Sequence, residues 1–160
     1  TKDSERLLKN LLIVYHSQTG NTEQMAEAVL AGANDSAIDG VEVRLLQAKD
    51  ASADDLLWAN GLILGTPENF GYMSGALKGF FDRTFYAVEG KIAPLPYSVF
   101  ISAGNDGSGA LRSIERIANG YPFVSVQAAI ICKGTPTSVE LSNCKELGQA
   151  LATGLELGIF

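Results

Sequence analysis

The chain has 160 residues, 12 Lys plus Arg against 18 Asp plus Glu, one His, two Cys and 46% hydrophobic residues, giving a net charge of −6. That balance supports one well-buried core and excludes disorder, a basic nucleic-acid footprint, a disulfide framework and a His-rich metal centre. The 17 glycines are the count out of line, and they ask where the backbone turns tightly or approaches something closely.

The opening T-K-D-S-E-R-L-L-K-N is mixed in charge and unlike a signal peptide, so the first few residues are expected to be a frayed leader. No stretch reaches the roughly 18 apolar residues of a membrane span, and the cysteine usage fits a reduced, cytoplasmic setting. Residues 11–15 form a nearly continuous apolar run, as a strand buried on both faces does. A polar loop at 16–21 leads into a helix with Met25, Val29 and Leu30 on one side and Gly32 at its expected end. Val41, Val43 and Leu45 alternate with Glu42 and Arg44, as in a strand with one wetter face at a sheet edge.

Residues 51–59 form a short helix candidate with Leu56 and Leu57 inward, and 61–66 a third strand that Pro67 stops. Residues 74–86 read as a helix with Leu77, Phe80, Phe81 and Phe85 on a broad apolar side. A strand at 97–102, a Gly-rich loop, a helix at 109–119 and a strand at 123–132 follow; Ser125 and Gln127 make that last strand irregular. The final helix, 139–157, aligns Cys144, Leu147, Leu151 and Leu155. Five β-α repeats without a linker predict one α/β domain over 1–160: a doubly wound, mostly parallel sheet covered by helices on both faces. Ligands of such sheets bind beyond the carboxyl ends of the strands, where strand order reverses. The loops after strands one, three and four are therefore the places to look.

His16-Ser17-Gln18-Thr19-Gly20-Asn21-Thr22 gathers hydroxyls and an amide around a glycine at a helix start. Free N–H groups and the helix dipole can hold a phosphate there without Lys or Arg. A plain helix cap with a turn uses the same residue types, and on this pattern alone the two readings stand level. Residues 66–72 join Thr66 and a rigid Pro67 to Glu68, Asn69, Phe70, Gly71 and Tyr72, a mixture suited to the polar edge and the face of a flat ring; as lids on the next helix Phe70 and Tyr72 have a blander use. Ser102-Ala103-Gly104-Asn105-Asp106-Gly107-Ser108-Gly109 is spaced G-x-x-G-x-G after a late strand, which is no dinucleotide fingerprint. Close backbone approach or a mobile exposed loop both fit it.

Ser17-x-Thr19-Gly20-x-Thr22 after a buried first strand resembles the phosphate loop of flavodoxin-like proteins. G-T-P-E-N-F-G-Y-M-S-G at 65–75 with L-K-G-F-F-D-R at 77–83 looks like the second signature of flavodoxin-like oxidoreductases, including the WrbA-type quinone reductases. The resemblance implies a five-stranded parallel sheet in the order 2-1-3-4-5 and flavin mononucleotide (FMN) as cofactor. It implies phosphate contacts at Ser17, Gln18, Thr19, Gly20, Asn21 and Thr22, ring contacts at Pro67, Glu68, Asn69, Phe70 and Gly71, and backbone contacts from Ser102, Ala103, Gly104, Asn105 and Gly107. Glu68 is the doubtful member, because a carboxylate beside a reduced anionic flavin is unfavourable. Tyr86 and Tyr97 are further candidates for the ring side, although Tyr97 reads as strand. Carrier flavodoxins usually have an aromatic in the third loop; this loop has none. There is also no inserted segment such as the WrbA-type proteins carry.

The first expectation is therefore an FMN-dependent oxidoreductase moving electrons from NAD(P)H to a quinone or similar acceptor, with the cofactor doing the chemistry and no catalytic acid–base residue. The alternatives are an FMN electron carrier with a protein redox partner, which the acidic charge suits, and a flavin-free interaction protein on the same fold. No metal is expected, and a homo-oligomer is left open. The phosphate-binding G-x-x-x-x-G-K-[ST] is absent, a receiver's Asp is replaced by Thr66, and no Cys lies near the first loop for phosphatase chemistry.

Overall fold

The computed structural model describes residues 8–160; the leader expected at the first few residues lies largely outside them. The order is β1 (Lys9–Tyr15), α1 (Asn21–Ala33), β2 (Val41–Gln47), a 3-10 turn (Ala48–Asp50), α2 (Ala53–Trp58), β3 (Gly61–Pro67), α3 (Gly75–Val88), β4 (Leu95–Ala103), α4 (Ser108–Ala118), β5 (Phe123–Ser125), β6 (Ile130–Lys133) and α5 (Ser138–Glu156). All strand pairings are parallel, in the order β2-β1-β3-β4-β5, with β6 also on β4. β2 is the edge strand that its alternating polarity predicts.

The continuous apolar strands are apolar because both faces are covered. Along β1, Leu12 and Val14 pack towards α2, α3 and α4, while Leu11 and Ile13 pack towards α1 and α5. β3 and β4 repeat this split with Leu62 and Leu64 against Ile63, and Val99 and Ile101 against Phe100. Phe80, Phe81 and Phe100 are among the largest fully buried side chains, each contributing roughly 1.5–3 kcal/mol of burial. Arg83 donates to the Ala48 and Ala51 carbonyls at 2.8 and 3.1 Å, tying α3 to the 3-10 turn.

Three expectations are corrected. The strand expected over 123–132 is two strands. Tyr97 pairs with Ser125 and Phe100 with Ile130, so β4 advances 100 − 97 = 3 residues while its partner advances 130 − 125 = 5. The Ser98 hydroxyl holds the resulting bulge by donating to the Gln127 carbonyl at 2.9 Å. Leu57 is 44% exposed, because α2 is one short turn and only Leu56 points inward. Gly32 does not end α1 but lies inside it, where a Cβ would come 1.9 Å from the Lys145 carbonyl oxygen of α5.

Burial raises the pKa of three core groups: Tyr121 to about 12, Cys132 to about 12 and Cys144 to about 11. The Tyr121 hydroxyl also donates to the Phe81 carbonyl at 2.7 Å. These protons are released from the unfolded chain at lower pH than from the fold. Their stabilising contribution is thus complete below the unfolded values near 9.0 for the thiols and 10.0 for the tyrosine, and is lost as pH rises through the folded ones. Urea midpoints measured across that alkaline window are expected to fall steadily, and Tyr121→Phe is expected to flatten part of the fall.

Candidate functional site

β1, β3 and β4 end side by side: Tyr15 is level with Gly65, and Pro67 with Ser102. The loops at 16–20, 68–74 and 104–107 therefore emerge at one edge of the sheet, and chain order reverses between β1 and β3.

The five helices begin in two different ways. α2 and α5 open with capping boxes at Ser52 and Thr137, and at α3 the Ser74 side chain accepts the Leu77 N–H. α1 and α4 instead follow left-handed glycines, Gly20 (φ 102°) and Gly107 (φ 75°), without a capping side chain from that residue. At α1 the Ser17 Oγ accepts the N–H of Gly20 at 3.2 Å and of Glu23 at 3.1 Å. Its two lone pairs are then engaged and its O–H hydrogen is free to donate outward. Among the described residues the Asn21 and Thr22 N–H groups have no acceptor. Gln18 and Thr19 are exposed, whereas Thr22 is 2% exposed and offers the edge its backbone. This donor set, with no lysine or arginine in it, fits a phosphate held by a helix N-terminus.

The second loop is a tight turn. Asn69 and Tyr72 exchange backbone hydrogen bonds at 2.8 and 3.0 Å. Both central residues are left-handed, Phe70 at φ 54° and Gly71 at φ 70°, as a type I′ turn requires. For a phenylalanine that backbone is strained, and its side chain is fully exposed. The loop is fixed from below. Glu68 N–H donates to the Ser102 carbonyl at 2.9 Å, and Met73 N–H to the Ser113 Oγ at 3.1 Å. The Ser74 N–H donates to the Thr66 Oγ1 at 2.9 Å.

The Glu68 carboxylate accepts the Ala110 N–H at 3.0 Å, in the first turn of α4. It thus serves as the cap that Gly107 cannot supply, and only its backbone is left to face a ring. In the third loop Gly104, Asn105 and Asp106 are exposed, while Ser102 and Ala103 are buried at the end of β4. Hydrogen bonds from the Ser108 N–H and hydroxyl hold the Asp106 carboxyl below its usual range.

Residues 13–146 match the family described as flavodoxin. The chain belongs to the flavodoxin family. It is 34% identical to a flavodoxin of Aquifex aeolicus over 158 residues, covering 89% of this chain and 84% of that one. It is 31% identical to an NAD(P)H dehydrogenase (quinone) of Acidithiobacillus ferrooxidans over 160 residues, covering 88% of this chain and 78% of the other. Among solved structures, a flavodoxin from the domain Archaea superimposes with a TM-score of 0.77 at 26% identity, over 91% of this chain and 98% of that one. FMN is the cofactor of this family, and the unpartnered Asn21 and Thr22 N–H groups beside the Ser17 hydroxyl fit its phosphate.

The three expected loops share one edge, but some of their fixings were not expected. Gly109 is the clearest: a Cβ there would come 2.2 Å from the Gly71 carbonyl oxygen. The third glycine of G-x-x-G-x-G was its only sequence signal. Ser113, which holds Met73, had none. Tyr86 and Tyr97 lie outside the three loops: Tyr86 is exposed near the end of α3, and Tyr97 is 4% exposed within β4.

The strained Phe70 yields a two-sided prediction. Left-handed backbone costs an L-residue roughly 1–2 kcal/mol, less for asparagine. Phe70→Asn is expected to raise the urea stability of the flavin-free protein by about 0.5–1 kcal/mol. The same change should weaken FMN binding about three- to tenfold through the lost aromatic contact, read by quenching of FMN fluorescence.

Proposed function

We propose that this chain binds FMN and carries electrons between protein partners. The observation that carries the reading is Phe70, held in solvent by a strained turn whose other residues are pinned to α4 and β4. An exposed aromatic suits a cofactor whose edge must meet another protein's redox centre. Bound FMN supplies the one- and two-electron chemistry.

The chain's own residues bind and orient. The Asn21 and Thr22 N–H groups and the Ser17 hydroxyl would take the phosphate. Phe70 would cover one ring face, and the Gly71 and Asn105 backbone would border the polar ring edge. The Glu68 carboxylate, kept on the Ala110 N–H, is held away from charge developing on the ring. Two buried free thiols, Cys132 and Cys144, support a reducing cytoplasmic setting.

This order reverses the one expected from sequence, where the NAD(P)H-to-quinone reaction came first. The reason is shape. A groove of about 500 Å³ runs between α3 and α4, with only Tyr72 of the three loops on its wall, whereas a small-substrate enzyme needs concavity at the cofactor. The quinone reaction stays as a second reading because the loop at 104–107 has no aromatic to cover the outer ring face.

The test is an anaerobic titration of FMN-loaded protein. A carrier takes up electrons in two steps at separate potentials and is not bleached rapidly by NADH or NADPH. Fast nucleotide oxidation with a quinone would move the assignment to the second reading. A protein that takes up no FMN would sink both.

A further inference from the structure

The groove between α3 and α4 starts at Tyr72, beside the ring-loop turn, and is lined by Tyr72, Lys78, Arg112, Ser113, Arg116 and Ile117. A second section of about 350 Å³ shares Lys78, Arg116 and Ile117 and continues past Phe85 and Tyr86. Its cations Lys78, Arg112 and Arg116 outnumber its carboxylate, Asp82, on a chain whose net charge is −6. Lys78 is paired with Asp82 at 2.7 Å. Among the described residues neither Arg112 nor Arg116 has a carboxylate within ion-pair distance.

Two arginines four apart on one helix repel each other. Here they stand side by side on the groove wall, with the Lys78–Asp82 pair opposite, an arrangement of the two arginines that an anionic occupant would relieve. Glu115, between them in sequence, turns to the other side of α4, towards Tyr97 and Ser125. The accessible apolar groups are also of the kind found at protein interfaces: Tyr72 is 41% exposed and Tyr86 83%.

We infer that this groove docks an acidic segment of the protein redox partner, with its carboxylates on Arg112 and Arg116 and an apolar side chain on Ile117 and Tyr72. The inference rests on the carrier reading above and adds the chemistry of the partner. Elsewhere the acidic surface repels such a segment, so the cationic groove sets its register. Its upper end, two residues from Phe70, would bring the partner to the exposed edge of the cofactor.

The probe is a short synthetic peptide of Glu and Asp with one central Leu, titrated into FMN-loaded protein while backbone amide shifts are followed by NMR. The largest shifts are expected at Tyr72, Ser113 and Ile117, with binding that weakens strongly from about 0.05 to 0.3 M NaCl. R112Q/R116Q should weaken binding about tenfold with FMN affinity unchanged, and Arg116→Glu more. Lys145→Gln, on the opposite face of the sheet, should have no effect. Shifts that avoid the groove, or an unchanged affinity in R112Q/R116Q, would overturn the inference. So would inorganic pyrophosphate binding there as tightly as the peptide, which would make the groove a phosphate site. FMN uptake is measured first and separately. Failure to load overturns the function, whereas a loaded, redox-active protein that ignores the peptide overturns the groove alone.

Discussion

Gly109→Val is expected to weaken FMN binding by about ten- to a hundredfold. Any Cβ at 109 would stand 2.2 Å from the Gly71 carbonyl oxygen and 2.8 Å from its carbon. Those atoms are backbone and cannot rotate away, so the turn at 69–72 must move. Its two ties to the same helix resist that movement: Glu68 on the Ala110 N–H and Met73 on the Ser113 hydroxyl. Overpacking of this kind costs about 1–3 kcal/mol, and each 1.4 kcal/mol is about tenfold in affinity. The strain falls on an exposed turn and leaves the two cores untouched, so the urea midpoint of the flavin-free protein should shift far less than the affinity. Fluorescence titration with FMN and urea unfolding on the same variant separate the two effects. An unchanged affinity would mean that the ring does not rest on this turn.

What the sequence made legible was whatever depends on near neighbours along the chain. The run at 11–15 reads as a doubly covered strand because every residue in it has a core on one side or the other. The hydroxyl-rich loop before Asn21 reads as a helix start, cap or anion site alike, because a helix N-terminus is a local object. What could not be read depends on distant backbone. Gly32 looks like a helix end and is in truth a contact with α5, more than a hundred residues later. Gly109 looks like a loop glycine and is a contact with Gly71. Ser125 and Gln127 mark the strand at 123–132 as irregular, but where it breaks into β5 and β6 is tied to the neighbouring strand, whose Ser98 hydroxyl donates to the Gln127 carbonyl. The cationic groove is assembled from Lys78 on α3 and Arg112 and Arg116 on α4, which no local pattern joins.

The contact between α1 and α5 carries the other large expected effect. Gly148→Ala is expected to destabilise the fold by about 2–3 kcal/mol, even though alanine favours a helix over glycine by about 1 kcal/mol. A Cβ at 148 would lie 2.0 Å from the Val29 carbonyl oxygen and 2.9 Å from the Ala33 nitrogen. One at residue 32 would lie 1.9 Å from the Lys145 carbonyl oxygen, so the two helices touch backbone to backbone from both sides. Parting them lifts Met25 and Val29 on one helix, or Leu147 and Leu151 on the other, from a face where each is at most 2% exposed. One separation would accommodate both substitutions. Gly32→Ala and Gly148→Ala combined should therefore cost clearly less than the sum of the two singles in urea unfolding. A fully additive pair would mean that each clash is relieved locally, without helix movement. The site offers an independent reading of the same displacement. α1 carries the Asn21 and Thr22 N–H groups at its far end, so a helix that shifts as a body moves them against Ser17. Gly148→Ala should then weaken FMN binding from the opposite end of α1, whereas local relief at residue 148 would leave that affinity alone.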